Sequence, residues 1–221
     1  MLNNNKIVNI IGAGLAGCEA AYFLAEHGVC VRLFEMKSIK MTPAQKMQGF
    51  AELVCSNSLK SMQELSASGM LKKELESLGC TLLDCAYKTQ VPSGNSLSVD
   101  REKFSQIITQ KIKEHKNIEV IEQVVEEINI NQPTIIATGP LCDDKLFKFI
   151  SNLIGDENSY FYDAIAPIVT LESIDMSRAF WANRYDQGET RDYLNCWLTK
   201  EEFEVFYSEL IDAKQVELKA F

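Results

Sequence analysis

The stretch K-I-V-N-I-I-G-A-G-L-A-G, Lys6 to Gly17, decides the fold. It reads as a strand, a glycine turn and the start of a helix running to about His27, where Gly28 supplies the stop. V-C-V-R-L-F-E, Val29 to Glu35, follows as a second strand. Strand, helix and strand at this spacing make a parallel pair with a right-handed crossover. That unit opens a doubly wound, Rossmann-like α/β sheet.

The glycines have separate tasks. Gly12 permits the tight turn, Gly14 lets backbone approach a pyrophosphate, and Gly17 lets the helix pack on its strand. With Ala13, Leu15 and Ala16 they present free N–H groups and the positive helix end to phosphates. Glu35 stands 18 residues past Gly17, where a carboxylate accepts from ribose hydroxyls and repels a 2′-phosphate. FAD or NAD therefore fits this place and NADP does not. A glycine turn that merely packs is the alternative, and strand, turn, helix and acid together argue against it. T-I-I-A-T-G, Thr134 to Gly139, reads as a buried strand ending in a glycine turn. Laid beside the first strand, it brings Thr138 and Gly139 to the same dinucleotide, which favours FAD.

Working outward, residues 36–60 lack periodicity and form a long connection of the kind that carries chemistry on a rigid sheet. G-M-L-K-K-E-L-E-S-L-G is a short amphipathic helix, and Asp100 caps a second, on which Phe104, Ile107, Ile108 and Ile112 share a face. I-E-V-I-E-Q-V-V-E-E-I-N-I alternates as one or two strands. From 160 to 200 the chain turns aromatic and polar, with a turn at Arg184 to Glu189, and a helix follows Thr199. The expected division is a first part of an FAD-binding domain at 1–158 and the start of a smaller α+β lobe at 159–221.

Composition narrows the function. Against 22 Lys and Arg stand 31 Asp and Glu, a net charge of −9, so the surface repels phosphate backbones on average. The seven cysteines form no C-x-x-C pair and only two histidines, His27 and His115, accompany them, so neither a zinc cluster nor a disulfide framework is expected. Both histidines read as helix-end residues. Without a signal peptide or a membrane span, the expected home is the cytoplasm, with free thiols.

Cys55 stands apart from the other thiols. In F-A-E-L-V-C-S-N-S-L-K-S, Phe50 to Ser61, it follows Leu53 and Val54 and precedes Ser56, Asn57 and Ser58. Free cysteines are most often small buried hydrophobes. A working thiolate needs polar support, which these neighbours offer. Spacing alone leaves core residue and reagent both open.

The blocks V-N-I-I-G-A-G-L-A-G-C-E-A-A, F-E-M-K, K-M-T-P-A, F-A-E-L-V-C-S-N-S-L, L-S-V-D-R-E-K-F-S, A-T-G-P-L, Y-F-Y-D-A-I-A-P-I-V and Y-L-N-C, in this order, resemble the TrmFO (Gid) family. The resemblance implies an FAD- and folate-dependent tRNA (uracil-5-)-methyltransferase. In it 5,10-methylenetetrahydrofolate gives the carbon, reduced FAD the hydride, and NAD(P)H recharges the flavin. It makes Cys55 the catalytic candidate, either adding to the uracil ring or handling the one-carbon unit. It also implies that the chain corresponds to the N-terminal part of such an enzyme, whose members continue to another important cysteine and return to the FAD domain. Gln45 and Lys46 depart from the family pattern, where histidine is usual after T-P-A, and Trp197 stands where proline is usual. Three further readings remain: the same chemistry on ribosomal RNA, a noncatalytic FAD-binding fragment, and an NAD-linked oxidoreductase without RNA.

Overall fold

In the computed structural model, residues 7–155, 169–183 and 191–214 are described. The chain divides into two compact units, Met1–Val91 with Asn95–Ala166, and Pro92–Gly94 with Pro167–Phe221.

The first unit is built on a four-stranded parallel sheet. Its strands are β1 (Ile7–Ile11), β2 (Cys30–Glu35), β6 (Ile118–Glu122) and β7 (Thr134–Ile136), in the order β6-β2-β1-β7. Between β1 and β2 runs α1 (Leu15–Glu26), which buries Gly17, Cys18, Ala21 and Ala25. Those small residues let the helix axis come close to the strands. At its end, Gly28 takes φ +76° and donates to Ala25 O at 3.0 Å while Val29 N–H donates to Leu24 O at 3.0 Å. That double closure is the Schellman stop that a glycine allows.

The chain between β2 and β6 carries a second, antiparallel sheet of β3 (Ser58–Ser61), β5 (Ser96–Val99) and β4 (Gln90–Val91). It also carries α2 (Ala67–Ser77), α3 (Thr81–Lys88) and α4 (Arg101–Glu114). Asp100 caps α4 by accepting from Lys103 N–H at 3.1 Å. Phe104, Ile108 and Ile112 of its apolar stripe are buried, and Ile107 packs at the margin of the same core. The N-terminus of α3 has no side-chain cap of its own. Glu19 of α1 replaces one, its carboxylate accepting from Thr81 N–H at 2.9 Å and Leu82 N–H at 2.8 Å.

The α/β class and the Rossmann-like parallel order are as expected, and two details differ. The alternating acidic segment is a strand only over Ile118–Glu122: Gln123 N–H still donates to Glu35 O at 3.0 Å, but β2 ends at Glu35, so among the described residues the segment has no strand to pair with past that bond. The strand ending in A-T-G is short and lies at the sheet edge, with Ile135 and Ile136 exposed rather than buried. α5 (Asp144–Ile154) follows it, capped by Asp143 and closed by Gly155 in the left-handed region.

The second unit contains a hairpin of β8 (Ala179–Ala182) and β9 (Tyr193–Cys196) and the helix α6 (Lys200–Asp212). Thr199 and Glu202 form a reciprocal capping box at the start of α6, and Arg178 pairs with Glu202. Tyr193 Oη donates to Ser93 O at 2.8 Å and Gly94 N–H donates to Asp192 at 2.6 Å, which ties Pro92–Gly94 to this unit. The turn expected at Arg184 to Glu189 and most of Y-F-Y-D-A-I-A-P-I-V lie outside the described residues.

Replacing Glu19 by Ala removes both acceptors above α3. The expected cost is about 1–2 kcal/mol, read as a lower urea midpoint with an unchanged slope. An unchanged midpoint would mean that water caps α3 equally well.

Candidate active site

A cavity of about 680 Å³ opens at the carboxyl ends of β1 and β7. In the order β6-β2-β1-β7 the chain reverses its direction of travel across the sheet between these two strands. Ligands of open α/β sheets bind at that switch point.

The glycine turn forms one wall. Gly12 takes φ +99°, and a Cβ there would sit 2.6 Å from Ala137 O; a Cβ on Gly17 would sit 1.8 Å from Gly12 O. These two glycines let turn, helix and the A-T-G segment meet. A Cβ on Gly14 would meet nothing within 4 Å, although Gly14 lines the cavity. That open approach, with the first turn of α1 behind it, is where backbone N–H groups lacking helical partners point.

Glu35 forms the next wall. Its Oε2 accepts from Ala13 N–H at 2.7 Å and its Oε1 from Lys37 N–H at 2.9 Å. Each carboxylate oxygen keeps a further lone pair. The Ala13 carbonyl is held as well, accepting from Ala51 N–H at 2.8 Å and from Cys18 Sγ at 3.3 Å. Burial pushes the Cys18 thiol up to about 12, so it stays protonated and donates.

The connection after β2 is irregular yet tightly held. Ala51, buried and at φ +49°, turns the chain so that its N–H reaches Ala13 O. Phe50 N–H donates to Thr109 Oγ1 at 2.8 Å, and Ser105 Oγ donates to Phe50 O at 2.6 Å, which fixes the segment to α4. Lys37 Nζ donates to Gly49 O at 2.7 Å and to Glu52 Oε2 at 3.0 Å. Past this frame Cys55 is exposed and lines the cavity. Asn57, two residues later, returns to β5 by donating its side-chain N–H to Val99 O at 3.1 Å and accepting Val99 N–H at 3.0 Å.

Of the residues singled out in the sequence, Gly12, Gly14, Leu15, Ala16, Glu35, Cys55, Thr138 and Gly139 share this one cavity. Ala13 and Gly17 stand behind its wall, the first bonded to Glu35 and the second pressed on Gly12. His27 bonds Phe23 O and His115 bonds Glu26, both away from the cavity. Sequence reasoning missed Lys37 and Glu52, although both lie in the quoted F-E-M-K and F-A-E-L-V-C-S-N-S blocks. Glu52, a lone acid between Phe50-Ala51 and Leu53-Val54, was the available signal, while Lys37, among Glu35, Ser38 and Lys40, offered none. Gln45, at the rim, closes a local turn by accepting from Thr42 N–H at 2.9 Å.

Asp143, also at the rim, accepts from Lys40 Nζ at 2.7 Å, a bond that holds its carboxyl below the usual carboxylate range. Among the described residues no group of three or more His, Cys, Asp or Glu could hold a metal, and no helix is long and apolar enough to cross a membrane.

The family model described as glucose inhibited division protein A matches residues 7–221. A relative from Acetivibrio thermocellus named methylenetetrahydrofolate–tRNA-(uracil-5-)-methyltransferase TrmFO is 52% identical over 97% of this chain and 49% of its own length. The protein of the same name from Fusobacterium nucleatum is 52% identical over 98% of this chain and 50% of its own. The chain thus spans about half the length of the curated relatives it matches. Among solved structures, Aquifex aeolicus GidA in its form II crystal aligns with a TM-score of 0.47 at 17% identity, over 59% of this chain and 21% of that one.

The two inner glycines give opposite expectations. Gly17→Ala drives a Cβ into a backbone carbonyl and should cost about 3 kcal/mol, roughly 6–12 °C in Tm for a chain of this size. Gly14→Ala should leave the melting temperature of the unliganded protein nearly unchanged. Equal melting temperatures for the two variants would contradict this packing.

Proposed function

The chain belongs to the glucose inhibited division protein A family, and from that membership and the cavity we propose that it is the dinucleotide-binding part of a folate-dependent flavoenzyme methylating C5 of a uridine in tRNA. The observation that carries the reading is one cavity shared by an open glycine cradle, a ribose-type acid and an exposed cysteine. The relatives' names supply the reaction class and the substrates.

The residues fit FAD. Gly14 leaves room for a pyrophosphate where a Cβ would project into the cavity, and the α1 N-terminus favours its charge. Glu35 keeps lone pairs for ribose hydroxyls, and Thr138 and Gly139 close on the dinucleotide from β7. When bound, FAD in its reduced form supplies the hydride that completes the methyl group. The carbon comes from 5,10-methylenetetrahydrofolate, and NAD(P)H restores the reduced cofactor.

Cys55 supplies the thiolate of the transfer. C5 of uracil is a poor nucleophile, and a thiolate adding at C6 raises its electron density so that C5 bonds the methylene carbon. Loss of the C5 proton releases the folate nitrogen, a hydride adds to the exocyclic carbon, and expulsion of the thiolate restores the ring. Seven free thiols suit a reducing cytoplasm.

The test uses protein expressed from the natural gene. It should carry flavin absorbance and transfer the folate carbon to uridine in tRNA, with Cys55→Ala lowering turnover by more than about 10³-fold while the flavin stays bound. Gly14→Ala should weaken FAD binding. A covalent adduct between Cys55 and 5-fluorouridine tRNA assigns the thiolate to C6; turnover loss without an adduct assigns it to the one-carbon unit. Methylation of ribosomal RNA in place of tRNA, or flavin binding without transfer, would overturn the proposed substrate or the enzyme reading respectively.

A further inference from the structure

Lys37 and Glu52 form an ion pair with side chains only 4% and 2% exposed. Charges so deeply buried are costly unless paired and hydrogen-bonded, and here both are. Glu52 Oε1 accepts from Lys46 N–H at 2.6 Å and Met47 N–H at 3.1 Å, while Oε2 accepts from Lys37, which also reaches Gly49 O. Three stretches of one loop converge on this pair: Lys37 two residues past the ribose acid, Lys46 to Gly49, and Glu52 three residues before Cys55. Glu35 binds the Lys37 N–H, so the pair is tied to the cofactor acid at one end and stands three residues from the cysteine at the other. Apolar residues would fill the same volume without fixing direction. Hydrogen-bonded charges fix both distance and orientation.

We propose that Lys37 and Glu52 are positioning residues that hold the Cys55 thiol at a set place against the glycine cradle, coupling the ribose acid to the reagent. The proposal rests on the reading of Cys55 as that reagent. Upstream of Cys55 this pair is the anchor, and downstream the anchor is the Asn57 contact with Val99. Glu52 borders the cavity, but the charged groups of the pair are bonded to one another and to the loop backbone, and the pair acts through Cys55.

Holoprotein from the natural gene is compared with the double variant Lys37→Met/Glu52→Gln, which removes both charges and keeps an acceptor for Lys46 and Met47. Flavin content should match the parent. Turnover should fall about 10²-fold, as for a small misplacement of a reacting group, with KM for the folate donor within about threefold. Iodoacetamide labelling of Cys55, followed by peptide mass, should change in rate by about tenfold, and Lys37→Arg should recover most of both. If the double variant does not fold, Glu52→Gln alone carries the same expectations, because its amide turns a donor toward Lys37. Unchanged turnover and labelling overturn the proposal, and so does loss of flavin in step with turnover. Cys55→Ser tests the underlying reading separately. Transfer that survives it sinks the reagent, whereas transfer lost there but kept in the double variant sinks only the brace.

Discussion

Everything in the first unit depends on a place where no side chain fits. Gly17 lies over the Gly12 carbonyl, and Gly12 lies against Ala137, each closer than any Cβ permits. That contact sets the distance from α1 to β1 and from β1 to β7, and it opens the sheet at its switch point. The peptide of Ala13 between them is then clamped on both sides, its N–H by Glu35 and its carbonyl by Ala51 and Cys18. The cradle's geometry is thereby held before any ligand arrives, so binding does not bear the ordering entropy of the turn.

The same clamp extends into the loop that follows β2. A loop of this length would ordinarily be mobile, yet Phe50, Ala51 and Leu53 are buried and its backbone polar groups find partners on α4 and on the turn. The left-handed φ of Ala51 is the cost of bringing the chain back to Ala13, and strain of this kind persists where surrounding contacts over-determine it. The Lys37–Glu52 pair belongs to that logic. A buried pair adds little net stability compared with apolar filling, and what it adds is a specified arrangement of three loop segments.

How much of this is legible in the sequence depends on the range of the interaction. The cradle, Glu35, the caps at Asp100 and Thr199 and the Gly28 stop are local patterns with fixed spacing, and each is found where the pattern puts it. The edge position of β7 is not legible, because Ile135 and Ile136 look the same whether a neighbour covers them or not. The end of β6 at Glu122 is equally hidden, since alternation continues past the last residue that has a partner strand. Cap exchange between Glu19 and α3, and the pairing of Lys37 with Glu52, join residues far apart in the chain. Composition marks such residues at most as polar ones in apolar surroundings.

Charge closes the argument. A net charge of −9 is a poor start for binding a dinucleotide, and among the described residues lining the cavity none is Lys or Arg. Three acids line it, and each is answered from within: Glu35 by two backbone N–H groups, Glu52 by Lys37 and two more, Asp143 by Lys40. Glu35 keeps its negative charge toward the ribose position, and the positive field at the glycine turn is that of the α1 N-terminus. A diphosphate placed there would be met by fixed backbone dipoles and not by mobile cationic side chains. Since few condensed charges are exchanged, binding at this place should depend on the shape of the turn much more than on ionic strength.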